Sequence, residues 1–179
     1  MTPRTPLAGV DAMIADLVTA ARNGSRDAFG ELVEGHWDRL VRLARSLVGD
    51  ADAEDVVQEA LVVAWTKLAA LSDPAKFGAW VGRIVFRRCL RAGRRRRGDV
   101  ALDQAPEPSG SCAAESVLTV WQVLARLAPR QRAVLHLTAV EGMTDAEIAP
   151  LLGITPASVR AHRRRARASV ARIVRGGVS

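Results

Sequence analysis

Apolar residues recur along this chain at steps of three and four, and no stretch shows the strict alternation of a half-buried strand. The period predicts helices from Asp11 to about Arg22, Arg26 to Val48, Asp52 to Leu71 and Phe77 to Ala92. Breaks fall at Asn23-Gly24, Gly49-Asp50 and Ser72-Asp73-Pro74, where glycine, proline and short polar side chains favour turns. On the helix from Asp52, the residues Ala53, Val57, Ala60, Leu61, Ala64, Leu68 and Leu71 share one arc and are expected in a core. Asp52, Asp55 and Glu59 lie on the opposite side. A solvated acidic stripe is the usual explanation of such a face. Here Val56, Val62 and Val63 are expected beside the carboxylates and away from the core, so a protein partner with basic and apolar groups accounts for the face better than water alone. A carboxylate-bound metal is weaker, because the spacing lacks the glycine pattern of a cation-binding loop.

The next helix is polarised differently. Val81, Val85, Cys89 and Ala92 form an apolar arc, while Trp80, Arg83, Arg87, Arg91 and Arg94 descend another face. Trp37, Trp65 and Trp121 are expected to be core packing. Trp80 heads an arginine ladder, the arrangement that stacks unpaired bases and grips the adjoining backbone, so core and contact readings stand about even there. The run Arg94 to Arg97 suits phosphate contact or a solvated tail.

Near the C-terminus, the stretch from Thr144 to Arg167 reads as a helix-turn-helix. Thr144 with Glu147 forms a capping-box pattern, and Gly153 supplies the positive φ of a tight turn after Leu152. Thr155 caps a second helix with Pro156 at its first position, where a missing N–H costs nothing. Ile148, Leu152, Ile154 and Val159 supply the small core between the helices. Arg160, Arg163, Arg164, Arg165 and Arg167 decorate the second helix, which in this motif enters the DNA major groove.

Charge sharpens this picture by its distribution. The net charge of +7 divides into −4 over residues 1–71, +7 over 72–100, −2 over 101–129 and +6 over 130–179. Two basic blocks suggest two footprints on one polyanion. Between them, Gly98 to Ala113 holds Pro106, Pro108 and Gly110 without an apolar period, as a linker does. Extended, that stretch reaches at most roughly 55 Å, more than one turn of DNA at about 34 Å. The expected fold is therefore all-α: one small helical domain over residues 8–97, a flexible linker over 98–113, and a helix-turn-helix domain over 114–176. No apolar run is long enough to span a membrane and no signal peptide is evident, so a cytoplasmic protein without membrane insertion is expected. Cys89 reads as a small core hydrophobe and Cys112 as a linker residue, with a disulfide between them the weaker reading in a reducing compartment. His36, His136 and His162 are scattered in sequence, and neither a metal, a cofactor nor catalytic chemistry is expected.

Four segments together resemble the compact, extracytoplasmic-function (ECF) type of bacterial RNA polymerase sigma factor, which retains only regions 2 and 4. They are DAFGELVEGHWDRLVRLARSLVGD from Asp27, DAEDVVQEALVVAWTKL from Asp52, FGAWVGRIVFRRCLRAGRRRR from Phe77, and LARLAPRQRAVLHLTAVEGMTDAEIAPLLGITPASVRAHRRRAR from Leu124. The DAEDVVQEA segment is the most specific. The resemblance implies core RNA polymerase and promoter DNA as partners, and leaves room for an anti-sigma factor. It assigns Asp52, Asp55, Gln58 and Glu59 to docking on the polymerase. Lys76, Phe77, Trp80, Arg83, Arg87, Arg88 and Arg91 fall to the minus-ten element, with Ser72 to Ala75 a candidate pocket for a flipped base. Thr155, Ala157, Ser158, Arg160, Ala161, Arg163, Arg164 and Arg167 fall to the minus-thirty-five element.

Two residues depart from the family pattern. Pro150 is the sixth residue of its helix, where it removes the bond to Ala146 and costs about 3 kcal/mol or a kink. His162 stands near the recognition-helix core where the family usually has an aliphatic residue. The reading is a sigma factor without catalytic chemistry. Its alternative is a free-standing helix-turn-helix regulator with an N-terminal interaction domain, distinguished by whether DNA recognition requires core polymerase.

Overall fold

The computed structural model describes residues 8–100 and 120–176, and every regular element in them is helical. Helices α1 (Ala8–Arg22), α2 (Arg26–Glu34), α3 (Trp37–Val48), α4 (Asp50–Lys67) and α5 (Phe77–Val100) build the N-terminal half. Helices α6 (Val120–Ala125), α7 (Pro129–Ala139), α8 (Asp145–Leu152) and α9 (Pro156–Gly176) build the C-terminal half. Short 3-10 turns at Leu68–Ala70 and Pro74–Lys76 join α4 to α5.

The single helix expected from Arg26 to Val48 is two. At the junction the His36 backbone N–H bonds Val33 O, three residues back, at 2.9 Å. Its ring Nδ1 lies 2.7 Å from Leu32 O, the carbonyl that the backbone N–H would have used in a continuous helix. The ring thus replaces the backbone as partner and the chain turns. At the other boundary, α5 continues to Val100, so the first residues of the expected linker are helical. Cys112 and the rest of that linker lie outside the described residues.

One core joins α1 to α5. Val18, Leu32, Leu40, Val41, Ala53, Val57, Ala60, Leu68, Phe77, Val81, Val85 and Cys89 are buried in it. The arc read on α4 is there, with Leu61 only partly buried. Val56 is a correction: it is buried with the arc and not beside the carboxylates. At this end of α4 the stripe is narrower than its sequence suggests, because α3 and α5 both pack on the helix. Trp37, Trp65 and Trp80 are half-buried at the margin of the same core, while the side chain of Trp121 lies outside the described residues.

A second core crosses the two halves. Val134 and Leu137 of α7, Ile148, Leu151 and Leu152 of α8, and Val159 of α9 close around Leu43 of α3 and Phe86 of α5. Leu43 and Phe86 are each 1% exposed. Helix α8 packs on α5 and α7 packs on α3, so the basic α5 and the helix-turn-helix share one seam.

Candidate nucleic-acid interface

Helix α4 presents the acidic stripe. Asp55, Gln58 and Glu59 are exposed and Asp52 is half-exposed, all on the side away from the arc Ala53, Val57, Ala60 and Ala64. Val62 stands among them at 66% exposure, an apolar side chain left bare on an otherwise charged face. Glu59 Oε2 accepts from Arg88 Nη1 at 3.0 Å, which links the acidic face of α4 to the basic face of α5.

Between those helices, Asp73 caps the 3-10 turn by accepting the Ala75 N–H at 3.2 Å. Lys76 Nζ lies 2.7 Å from the same carboxylate. That ammonium is the main reason the Asp73 carboxyl is held below its ordinary range. The Ser72 to Ala75 segment, the candidate pocket for a flipped base, leads into this capped turn. Phe77, read as a DNA contact, is fully buried and meets His36 edge-on at 5.3 Å and Phe29 at 6.3 Å. It supports the surface from beneath, because the first turn of α5 directs its ring into the core.

Trp80 is half-buried, its ring 6.0 Å from Phe77, and Arg87 and Arg91 beside it are exposed. Arg83 is different. Its Nε donates to Pro150 O of α8 at 2.7 Å. The last carbonyls of a helix lack intrahelical donors, and the negative end of the helix dipole adds to the attraction for a guanidinium. Arg83 caps α8 from the opposite half of the chain.

The helix-turn-helix follows its local rules closely. Thr144 Oγ1 accepts the Glu147 N–H at 3.4 Å while Glu147 Oε2 accepts the Thr144 N–H at 2.8 Å. Gly153 sits at φ 67°, in the left-handed region where a Cβ is strained. Thr155 Oγ1 accepts the Ser158 N–H at 3.1 Å and starts α9 at Pro156. Helix α8 runs unbroken across Pro150. Of the recognition residues, Thr155, Ala157, Arg160, Arg164 and Arg167 are exposed, and Ser158 and Ala161 are half-buried.

Arg163 does not join them. Its guanidinium makes two bonds to Asp145, at 2.6 Å and 3.3 Å, tying α9 to the start of α8. That ion pair bridges the two helices of the motif. His162 faces the seam, in a cleft with Leu90, Pro129 and Arg130. Burial, then Arg130 and Arg165, lower its pKa.

The sequence reading missed Gly82, Phe86 and Leu90. They follow four-residue steps down a second apolar face of α5, and Leu43 and Leu47 repeat the step on α3. Two apolar faces on one helix were the available signal.

Comparison with known proteins agrees with this arrangement. The family models described as Sigma-70 region 2 and Sigma-70, region 4 match residues 32–98 and 118–170. The ECF RNA polymerase sigma factor SigM of Mycobacterium tuberculosis is 31% identical, with 89% of this chain and 84% of that protein covered. This chain belongs to the ECF sigma factors. As such it binds core RNA polymerase and directs promoter-specific transcription initiation. The probable RNA polymerase sigma factor RfaY of Xanthomonas campestris is 34% identical over 90% of this chain, which spans only 44% of that relative's length. Among solved structures, CnrH in complex with the cytosolic domain of CnrY matches with a TM-score of 0.66 at 29% identity, covering 92% of this chain and 98% of that one. The CnrH sequence comes from Cupriavidus metallidurans. No helix among the described residues is long and apolar enough to cross a membrane.

Proposed function

We propose that this sigma factor docks on core RNA polymerase through Asp52, Asp55, Gln58 and Glu59, with Val62 as the apolar centre of the contact. The observation that carries this assignment is the pairing of exposed carboxylates with Val62, itself 66% exposed, on the side of α4 away from its buried arc. Promoter opening at the minus-ten element falls to Lys76, Trp80, Arg87, Arg88 and Arg91, with Arg83 available once it leaves Pro150. Phe77 and Arg163 act on this scheme indirectly, through the packing and the ion pair described above. At the minus-thirty-five element, Arg160 and Arg164 read base edges and Arg167 meets phosphate. Thr155 and Ser158 position the helix start, and Ala157 and Ala161 offer small apolar contacts of the kind that meet thymine methyl groups. The protein acts in the cytoplasm. The likeness to CnrH, whose structure was determined with the cytosolic domain of CnrY, supports an anti-sigma factor as a further partner.

Reversal of Asp55 and Glu59 to Lys tests the docking face. These exposed groups contribute little to folding, since surface substitutions usually shift stability by only about 0.5 kcal/mol. The double variant is expected to keep its helix content and melting behaviour while losing polymerase binding in a pull-down with purified core enzyme. Unchanged affinity in a folded double variant would remove the assignment.

A further inference from the structure

His36 stands where α2, α3 and α5 meet, and it does more there than end a helix. A carbonyl can only accept, so the contact with Leu32 O puts the ring proton on Nδ1 and leaves Nε2 bare. Burial holds the pKa of the ring below its ordinary 6.5, and it packs uncharged at neutral pH. Its centroid lies 5.3 Å from that of Phe77, with the planes 74° apart.

The far end of the ring fills a notch in the first turn of α5. Gly78 has no side chain, and a Cβ there would stand 2.6 Å from Nε2 and 2.9 Å from Cδ2 of His36. No Cβ approaches that closely without displacement. Either the ring would swing out and release Leu32 O, or the start of α5 would move. The imidazole and the missing Cβ are therefore a matched pair.

This contact reaches the basic face of α5 in two steps. Phe77 is fully buried, with Phe29 at 6.3 Å as a further neighbour, and Trp80 lies 6.0 Å from it. Close-packed interiors transmit a displacement instead of absorbing it. The connection that leads into α5 offers no slack either. Arg22 of α1 donates to Leu68 O and Leu71 O, and Asp73 caps the 3-10 turn that follows. With that end tied, a shift at Gly78 passes into α5 and on to the Trp80 ring.

We infer that His36 is a positioning residue for promoter opening: its ring, seated on Gly78 and against Phe77, fixes the first turn of α5 and with it the Trp80 surface that receives the unpaired minus-ten strand. The role rests on the minus-ten assignment of Trp80, and His36 acts through α5 without meeting DNA. Two parts of one side chain then have separate tasks. The Nδ1–H satisfies Leu32 O and sets the break between α2 and α3, while the body of the ring holds α5.

The experiment uses the full chain with purified core polymerase, on a promoter recovered by transcribing genomic DNA with that holoenzyme. Asparagine carries an amide N–H where histidine carries Nδ1–H, so His36→Asn keeps the bond to Leu32 O and removes the body of the ring. Gly78→Ala leaves His36 in place and fills the notch, at a helical position where alanine is otherwise favoured over glycine. Both variants should remain folded, assemble with polymerase and bind the isolated upstream duplex as wild type does. Permanganate reactivity of unpaired thymines in the minus-ten segment should fall in each by about fivefold or more, the low end of what one stacked base contributes. The two changes together should be no worse than either alone, because the added Cβ enters space that the ring has left. On a Trp80→Ala background His36→Asn should add no further loss, since both act on one ring. A purely structural His36 gives the opposite pattern, with His36→Asn restored by its amide and the defects additive. Wild-type reactivity in His36→Asn or in Gly78→Ala would overturn the inference, as would a loss that adds fully to that of Trp80→Ala. If His36→Asn fails to fold, Gly78→Ala alone and combined with Trp80→Ala decides. A Trp80→Ala protein that opens promoters normally would remove the minus-ten reading and the positioning role with it, whereas a defective Trp80→Ala beside a normal His36→Asn removes only the positioning role.

Discussion

Trp80 shows how one side chain serves packing and contact together. Its ring lies against Phe77 yet remains half-exposed at the head of Arg87 and Arg91. Truncating a fully buried tryptophan costs about 3 to 5 kcal/mol. Part of the Trp80 ring already meets water, so Trp80→Ala is expected to lower stability by less and to leave the protein folded. The defect should fall on strand opening, read by reactivity of the melted promoter strand to a single-strand probe, with the closed complex on duplex DNA largely preserved. Collapse of the N-terminal helices in a thermal melt of the variant would assign Trp80 to the core alone.

At the scale of elements, the helix-turn-helix follows local rules except at Pro150. The capping box, the left-handed Gly153 and the Thr155 cap each satisfy backbone groups that helix ends leave orphaned. Pro150 removes one donor from α8 without interrupting it. The helix is held from outside, with Ile148, Ala149, Leu151 and Leu152 buried and Arg83 on its terminal carbonyl. Tertiary packing thus offsets a local cost of up to about 3 kcal/mol. Pro150→Ala should recover part of it, raising the denaturant midpoint while leaving the Arg83 contact in place, because the acceptor is a backbone carbonyl. An unchanged or lower midpoint would mean that the proline ring itself contributes packing of comparable size.

The whole molecule carries acid sensitivity in both halves. Burial lowers the pKa of His36 in the N-terminal half and of His136 in the C-terminal half. His136 Nε2 lies 3.7 Å from Glu141 Oε1, and Arg42 Nε of α3 donates to the same oxygen at 2.7 Å. Both rings fold neutral, while the unfolded chain takes up protons at the ordinary value of about 6.5. Their contribution is therefore complete above that pH and is lost as pH falls from there through the lowered folded values. Glu141 acts in a second window. The bond from Arg42 holds its carboxyl below the ordinary 4.5, so its contribution is lost only on further acidification. Denaturant unfolding should be flat with pH above neutrality and weaken through the mildly acid range. His136→Gln should reduce that first slope and leave the lower window intact. An equal slope in the variant would place the sensitivity at other groups.

Much of this protein is legible in its sequence, for reasons of range. Helical period, capping residues and turn glycines are local, so the arc Ala53 to Ala64 on α4, the capping box and the Gly153 turn follow from spacing alone. Charge is additive, so the acidic stripe and the two basic blocks are visible as counts. The same locality explains what was misplaced. Nothing near Phe77 or Val56 in the chain says which side of its helix will be covered. The split at His36 depends on a ring displacing a backbone donor, and the pairing of Arg163 with Asp145 depends on the angle between two helices. The sequence by itself determined an all-helical chain with two basic footprints and a helix-turn-helix. Only the tertiary structure decided that Leu43 and Phe86 belong to the far half and that Arg83 caps α8, because contacts between distant segments are set by which apolar faces remain unpaired after local folding.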